Sequence, residues 1–255
     1  MEVLGETLGN RLLALLCLSL AILAASARAD PVTLRVGVSD SLYPASYRLD
    51  DGRMAGAMER MLAQIARETG VTLPVEGYPT SRTQLMVQKG DLDAFIGVAT
   101  EERKSYALFA PTAVLTAPHG IFYRAGNEAL ADVASMAQLA RFRLGGHLGD
   151  GWVKENFPAD HIEWARTPED LLKMVEAGRV DYMIGDAASA ESRLKSVGLE
   201  GKLAFRTLSF LVPLEYRLGL RRTYPGAEEM VARLDQAIVK TRAGPDFAAA
   251  SSPYH

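Results

Sequence analysis

Arg103 and Asp186 are the residues of this chain best placed to act on a small molecule. Each comes after a short apolar run that reads as a strand, Arg103 after Ala94 to Val98 and Asp186 after Val180 to Ile184. In open α/β sheets, ligands bind outside the carboxyl ends of strands. The segment Thr100-Glu101-Glu102-Arg103 reads as a helix start. Thr100 suits an N-cap, and the two acids suit the first turn. Arg103 does not, because a cation there opposes the helix dipole at a cost of a few tenths to about 1 kcal/mol. A bidentate contact with a ligand carboxylate would offset that cost. An ion pair with Glu101 or Glu102 would offset it equally well. Asp186 also has two readings, as N-cap of a helix from Ala187 or as partner of a ligand ammonium. Taken together, the two charges suit a zwitterion, carboxylate to Arg103 and ammonium to Asp186.

Other candidates are weaker. Gly149-Asp150-Gly151 opens a helix, where free backbone N–H groups favour anions. Asp150 can itself cap that helix, and would then repel a ligand carboxylate. Tyr43, Tyr47 and Tyr78 lie in loops near strand ends and could stack on a ligand or grip a cation. A tyrosine in a loop also packs for its own sake. The histidines, at 119, 147, 161 and 255, lack metal-ligand spacing. No nucleophile elbow, phosphate loop or dinucleotide fingerprint is present.

The elements that must position these residues are written twice. Met86-Val87-Gln88-Lys89-Gly90-Asp91-Leu92-Asp93-Ala94-Phe95-Ile96-Gly97 returns 88 residues later as Met174 to Gly185, without a gap. Each copy reads as a helix end, a glycine cap and an apolar strand entered through Asp. Two copies at fixed spacing predict two lobes on one plan, and a cleft between them. Thr33 to Val38 and Val71 to Val75 read as strands. Met58, Met61, Leu62 and Ile65 mark a helix, and Ser81 to Gln88 another. The result is a β-α-β-α-β run, hence a largely parallel sheet covered by helices. Leu115 to Tyr123 reads as extended and broken by Pro118, with a crossing at Arg124 to Asn127. The second lobe then starts with strands at Phe142 to Gly145 and Ile162 to Trp164. Thr167 to Ala177 and Ala187 to Val197 read as helices. Leu203 to Leu220 reads as the return crossing, and Tyr224 to Thr241 as a helix packing back on the first lobe.

Length and charge bound the rest. The 255 residues suffice for one large domain or two small lobes. Net charge is −3 with no basic stripe, which argues against a nucleic-acid partner. Leu12 to Ala25 is apolar apart from Ser19, and Ala27-Arg28-Ala29 comes next. That pattern predicts a cleaved signal peptide over 1–29 and an exported, periplasmic product. The single cysteine, Cys17, lies inside this segment, so no disulfide is expected in the mature chain. The expected organisation is lobe 1 from 30–122 with 216–255, and lobe 2 from 123–215.

With these residues in view, the chain resembles the family 3 extracellular solute-binding proteins, the amino-acid receptors of bacterial ABC importers. The resemblance spans nearly all of 31–245. It rests on Thr100-Glu101-Glu102-Arg103, similar to the family's T-x-E-R, and on Gly178 to Asp186, similar to its G-R-V-D-a-x-x-x-D. It implies a two-lobed type II periplasmic-binding-protein fold of the α/β class, with two mixed sheets joined by two crossing hinge segments. It also implies that Arg103 holds a ligand α-carboxylate, Asp186 the α-amino group, and Tyr43 or Tyr47 the aromatic contact. Thr100, Gly149 and Asp150 complete the expected ligand-binding set. No cofactor is implied, and the expected partners are a small solute and a membrane permease, with the protein itself a monomer. The chain departs from the family pattern at Gly56-Ala57-Met58, where an acid is missing. It departs again at the apolar Gly97-Val98-Ala99, and at Asp150, where Thr or Ser is usual. The alternatives are an enzyme of the cyclohexadienyl dehydratase type, with Glu102 or His147 as its acid, and an accessory or sensor domain.

Overall fold

The structure, a computed structural model, describes residues 32–254; the expected signal segment lies outside them. Its two main sheets share one plan. The first runs in the order Val75–Tyr78, Val36–Ser39, Ala94–Gly97, Leu214–Arg221, Ala107–Phe109. The second runs Ile162–Ala165, Leu144–His147, Tyr182–Asp186, His119–Arg124, Leu203–Thr207. In each, three parallel strands are continued by two strands whose pairings are antiparallel. A ribbon of three short strands, Ser41–Leu42, Ser46–Arg48 and Met54–Ala55, fills the loop after the first strand.

The sequence repeat builds the same joint in both sheets. The helices Thr80–Lys89 and Pro168–Glu176 precede Gly90 and Gly178, whose φ angles are 85° and 72°. A side chain there would be strained, and glycine is not. The turn then delivers an aspartate to the strand entry. Asp93 accepts the Arg35 amide at 2.9 Å and the Arg35 Nε at 3.3 Å. Asp181 accepts the Arg143 amide at 2.8 Å and the Arg143 Nε at 3.2 Å. Each arginine also donates to the carbonyl of its copy's glycine, Gly90 or Gly178. The clasp fixes where the repeat strand enters its sheet, and so where the strand ends and where the residues after it lie.

Packing obeys the hydrophobic spacing. The helix Ala57–Thr69 buries Met58, Met61, Leu62 and Ile65, as the sequence pattern requires. The long helix Ala227–Ala243 packs against it with Val231, Leu234 and Ile238 buried. The chain end at Phe247–Ser251 joins the same layer.

Several segments differ from the sequence reading. The second strand is Val75–Tyr78 rather than Val71 to Val75: Thr72 makes only an isolated bridge to Thr33, and Pro74, with no N–H to donate, interrupts the ladder before Val75. The extended run around Pro118 is two strands in different sheets: Leu115–Ala117 joins the first and His119–Arg124 the second. The chain therefore crosses at Pro118, not at Arg124 to Asn127. It returns between Thr207 and Leu214, where Pro213 breaks the ladder. The two passages run side by side, Leu115–Ala117 antiparallel to Leu214–Tyr216. The helix expected from Ala187 starts at Ala190.

Burial alone would raise the Asp93 carboxyl, but the amide and guanidinium of Arg35 and the guanidinium of Arg221 outweigh it and hold it below its usual range. The stabilisation is therefore present above the unfolded-state value near ~3.9 and is lost as pH falls through the lower folded-state value. We expect Asp93→Asn to cost about 1–3 kcal/mol at neutral pH. Urea unfolding at pH 7 and pH 3 checks this: the difference from wild type should shrink at the lower pH, and an equal difference at both would contradict it.

Candidate functional site

Between the two sheets lies a cavity of about 100 Å³. That is small beside the roughly 300 Å³ at which drug-sized pockets begin, so it suits a small solute held in a closed cleft. The first lobe contributes Ser39, Thr80, Gln84, Phe95 and Arg103 to its wall, and the second His147, Asp150, Trp152, Asp186 and Arg193. Apolar walls come from Leu42, Met58, Ile96, Met183, Ile184 and Leu214.

Arg103 is the centre of the first-lobe wall. The short helix Glu101–Tyr106 comes after the repeat strand, and Thr100 caps it, accepting the Arg103 amide at 3.3 Å. The side chain is only 5% exposed. Its Nη1 donates to the Val98 carbonyl and its Nη2 to the Gly149 carbonyl, both at 2.8 Å. Its Nε has no hydrogen-bond partner. Among the described residues, Arg103 forms no ion pair. Burial pushes the guanidinium pKa down, with Tyr106, Asp150 and Glu102 pulling the other way. A Cβ on Gly151 would sit 3.0 Å from the Arg103 Cζ, so glycine there is what lets the guanidinium lie against the backbone. Glu101 and Glu102 do not neutralise it. Glu101 pairs with Lys104 at 2.6 Å and Glu102 with Lys154 at 2.6 Å, on the surface.

Asp186 ends the second repeat strand and is 2% exposed. One carboxylate oxygen accepts the Ser189 amide at 2.8 Å, the other the Ser189 hydroxyl at 2.9 Å. The Tyr216 hydroxyl lies 3.5 Å from the latter. Asp186 thus braces the turn ahead of the helix Ala190–Ser196 and also faces the cavity. Burial, then Asp186, pushes the Tyr216 phenol well above its ordinary range. Asp150 caps the helix Gly151–Asn156 through the Val153 amide at 3.0 Å, and its second oxygen lies 3.5 Å from the His147 Nδ1. Burial lowers the pKa of His147 and of His119, with Asp150 pulling the other way.

Arg103, Gly149, Asp150 and Asp186 therefore meet at one cavity, with Thr100 behind Arg103. Tyr43 and Tyr47 do not line it; their rings pack edge to face, 4.8 Å apart. Tyr43 takes part through its backbone, whose carbonyl accepts from the Arg193 Nη2 at 3.0 Å. Arg193, His119, Trp152 and Gln84 escaped the sequence reading. The Trp152 ring packs on His119 at a tilt of 41°, with ring centroids 4.4 Å apart. Gln84 donates across the cleft to the Gly149 carbonyl at 3.0 Å. The available signal for Arg193 was its place, in the helix after the second repeat strand, as Arg103 stands in the helix after the first.

Comparison with known proteins agrees with this architecture. Residues 34–255 match the family model of bacterial extracellular solute-binding proteins, family 3. The chain is 26% identical over 187 residues to the "Probable amino-acid-binding protein YxeM" of Bacillus subtilis (strain 168), covering 70% of this chain and 69% of that protein. Among solved structures, a histidine kinase sensor domain with similarity to periplasmic binding proteins aligns with a TM-score of 0.74 and 20% identity, over 89% of this chain and 96% of that one. An ancestral arginine-binding protein bound to arginine aligns at 0.71 and 20%, over 87% and 97%. The arginine-, lysine-, histidine-binding protein ArtJ of Geobacillus stearothermophilus aligns at 0.71 and 18%, over 87% and 94%. These structures share the two-lobed fold. With a matching model across nearly the whole described chain, this protein belongs to the bacterial extracellular solute-binding proteins, family 3.

Proposed function

We propose that the protein is an exported, periplasmic receptor that captures a small solute bearing a carboxylate, an amino acid, and delivers it to the permease of an ABC importer. The observation that carries this reading is Arg103, a buried guanidinium with carbonyl partners and no anion. A buried cation without an anion is costly, and a ligand carboxylate supplies the missing charge in a charge-assisted geometry. In this reading Asp186 takes the ammonium through its remaining acceptor capacity. Thr100 and Gly149 hold Arg103 in place, and Asp150 sets the N-terminus of the opposing helix. Tyr43 enters through its carbonyl.

The lobes exchange chain at Pro118 and at residues 208–213. Two paired passages of this kind support hinge closure around the solute. The bonds across the cleft from Arg103, Gln84 and Arg193 are partly buried. The exposed Lys154–Glu102 pair contributes little.

The enzyme reading needs a general acid at the cavity. Glu102 is exposed and paired with Lys154, and Asp150 and Asp186 already accept backbone and hydroxyl donors. Of Glu102 and His147, only His147 lines the cavity. Incubation with prephenate-like cyclohexadienyl acids is expected to give no product; steady turnover abolished by His147→Ala would contradict the receptor reading.

Arg103→Ala tests the receptor reading directly. Wild-type protein with its ligand at one hundred times the dissociation constant should gain ~2.7 kcal/mol of stability. The variant should unfold cooperatively in a thermal melt yet show no upward shift with that ligand. An equal shift in both proteins would remove Arg103 from the site.

A further inference from the structure

We infer that the cleft selects a solute carrying two anionic groups, an acidic amino acid or the corresponding dicarboxylate, with one group on Arg103 and the other on Arg193. This rests on the receptor reading above and narrows it. Arg193 is 3% exposed and lines the same cavity as Arg103. Its Nη2 donates to the Tyr43 carbonyl, and its Nε has no partner. Among the described residues it forms no ion pair.

The two arginines are counterparts. Each sits in the short helix after a repeat strand, Arg103 in the first lobe and Arg193 in the second. Each reaches across the cleft to a carbonyl of the opposite lobe, Arg103 to Gly149 and Arg193 to Tyr43. Two buried cations thus face one small space from opposite sides.

Hydrogen-bond supply points the same way. Asp186 already accepts from the Ser189 amide and hydroxyl, and Asp150 from the Val153 amide. The guanidinium groups keep buried N–H groups without acceptors. Each end of the cavity therefore keeps an unpartnered guanidinium donor, and a ligand must bring acceptors to both, while Asp186 keeps lone pairs for an ammonium. A neutral amino acid brings one carboxylate and leaves Arg193 without an anion, which is unfavourable for a buried charge.

Calorimetric titration of the purified protein with L-glutamate, L-aspartate, succinate, L-glutamine and L-alanine tests the inference. We expect the diacids to bind on the order of 100-fold more tightly than the neutral amino acids, as for one buried charge pair. Aspartate against succinate shows whether an ammonium is also required. In Arg193→Gln the preference for diacids should fall towards one; Arg193→Lys, which keeps a charge but loses the fork, should fall between. Melting temperatures show whether each variant is folded. Wild-type binding of neutral amino acids as tight as that of diacids would overturn the inference and leave the receptor reading intact. So would an Arg193→Gln or Arg193→Lys variant that weakens all ligands equally, since Arg193 would then act only as a latch. Wild-type protein that binds none of these five compounds would overturn the inference and count against the receptor reading itself.

Discussion

A guanidinium held out of water without an anion is the constraint on which this structure turns. Arg103 is buried, bonded only to carbonyls, and left with an unpartnered Nε. Carbonyl acceptors satisfy hydrogen bonds but do not cancel charge. Much of the surrounding structure serves to hold that group where it is. Thr100 caps its helix, Gly151 leaves room for its plane, and the neighbouring glutamates are taken up by lysines.

The duplicated plan explains why such a site falls between two lobes. In each sheet an aspartate–arginine clasp sets where the repeat strand enters, and the strand then points its carboxyl end at the cleft. The residues just past each strand therefore face the other lobe. The first lobe places a capped helix with Arg103 there, and the second places Asp186, Ser189 and the helix of Arg193. Cross-cleft bonds from Arg103, Gln84 and Arg193 then hold the lobes against one another. The same groups that line the cavity thus also bridge the two lobes.

The sequence made the fold legible because its signals were local. The segment Met86 to Gly97 that returns at Met174 to Gly185, the glycine caps and the periodic Met58, Met61, Leu62 and Ile65 each act within one element or one turn. Arg103 stood out because a cation in a first turn opposes the helix dipole; sequence left Glu101, Glu102 or a ligand as its partner, and the structure pairs both glutamates with lysines. Asp186 was ambiguous in sequence, and the structure explains why: it braces its own turn and faces the cavity at once. Arg193 had only its place after the second repeat strand as a signal. In Ala190-Glu191-Ser192-Arg193 it reads as one more charge on a short helix, and only the packing of the other lobe buries it. The rings of Tyr43 and Tyr47 pack on each other instead of lining the cavity. A ring in a loop advertises stacking, whereas Tyr43 acts through a backbone carbonyl that carries no sequence signal. The crossing at Pro118 was displaced because a strand that changes sheets keeps the same extended pattern on both sides.

A crystal structure of the protein with its tightest-binding amino acid or dicarboxylate would test the account most directly. A ligand carboxylate is expected at the Arg103 guanidinium within about 2.7–2.9 Å, inside a closed cleft. A ligand bound with its carboxylate elsewhere, and Arg103 still holding only the Val98 and Gly149 carbonyls, would contradict it.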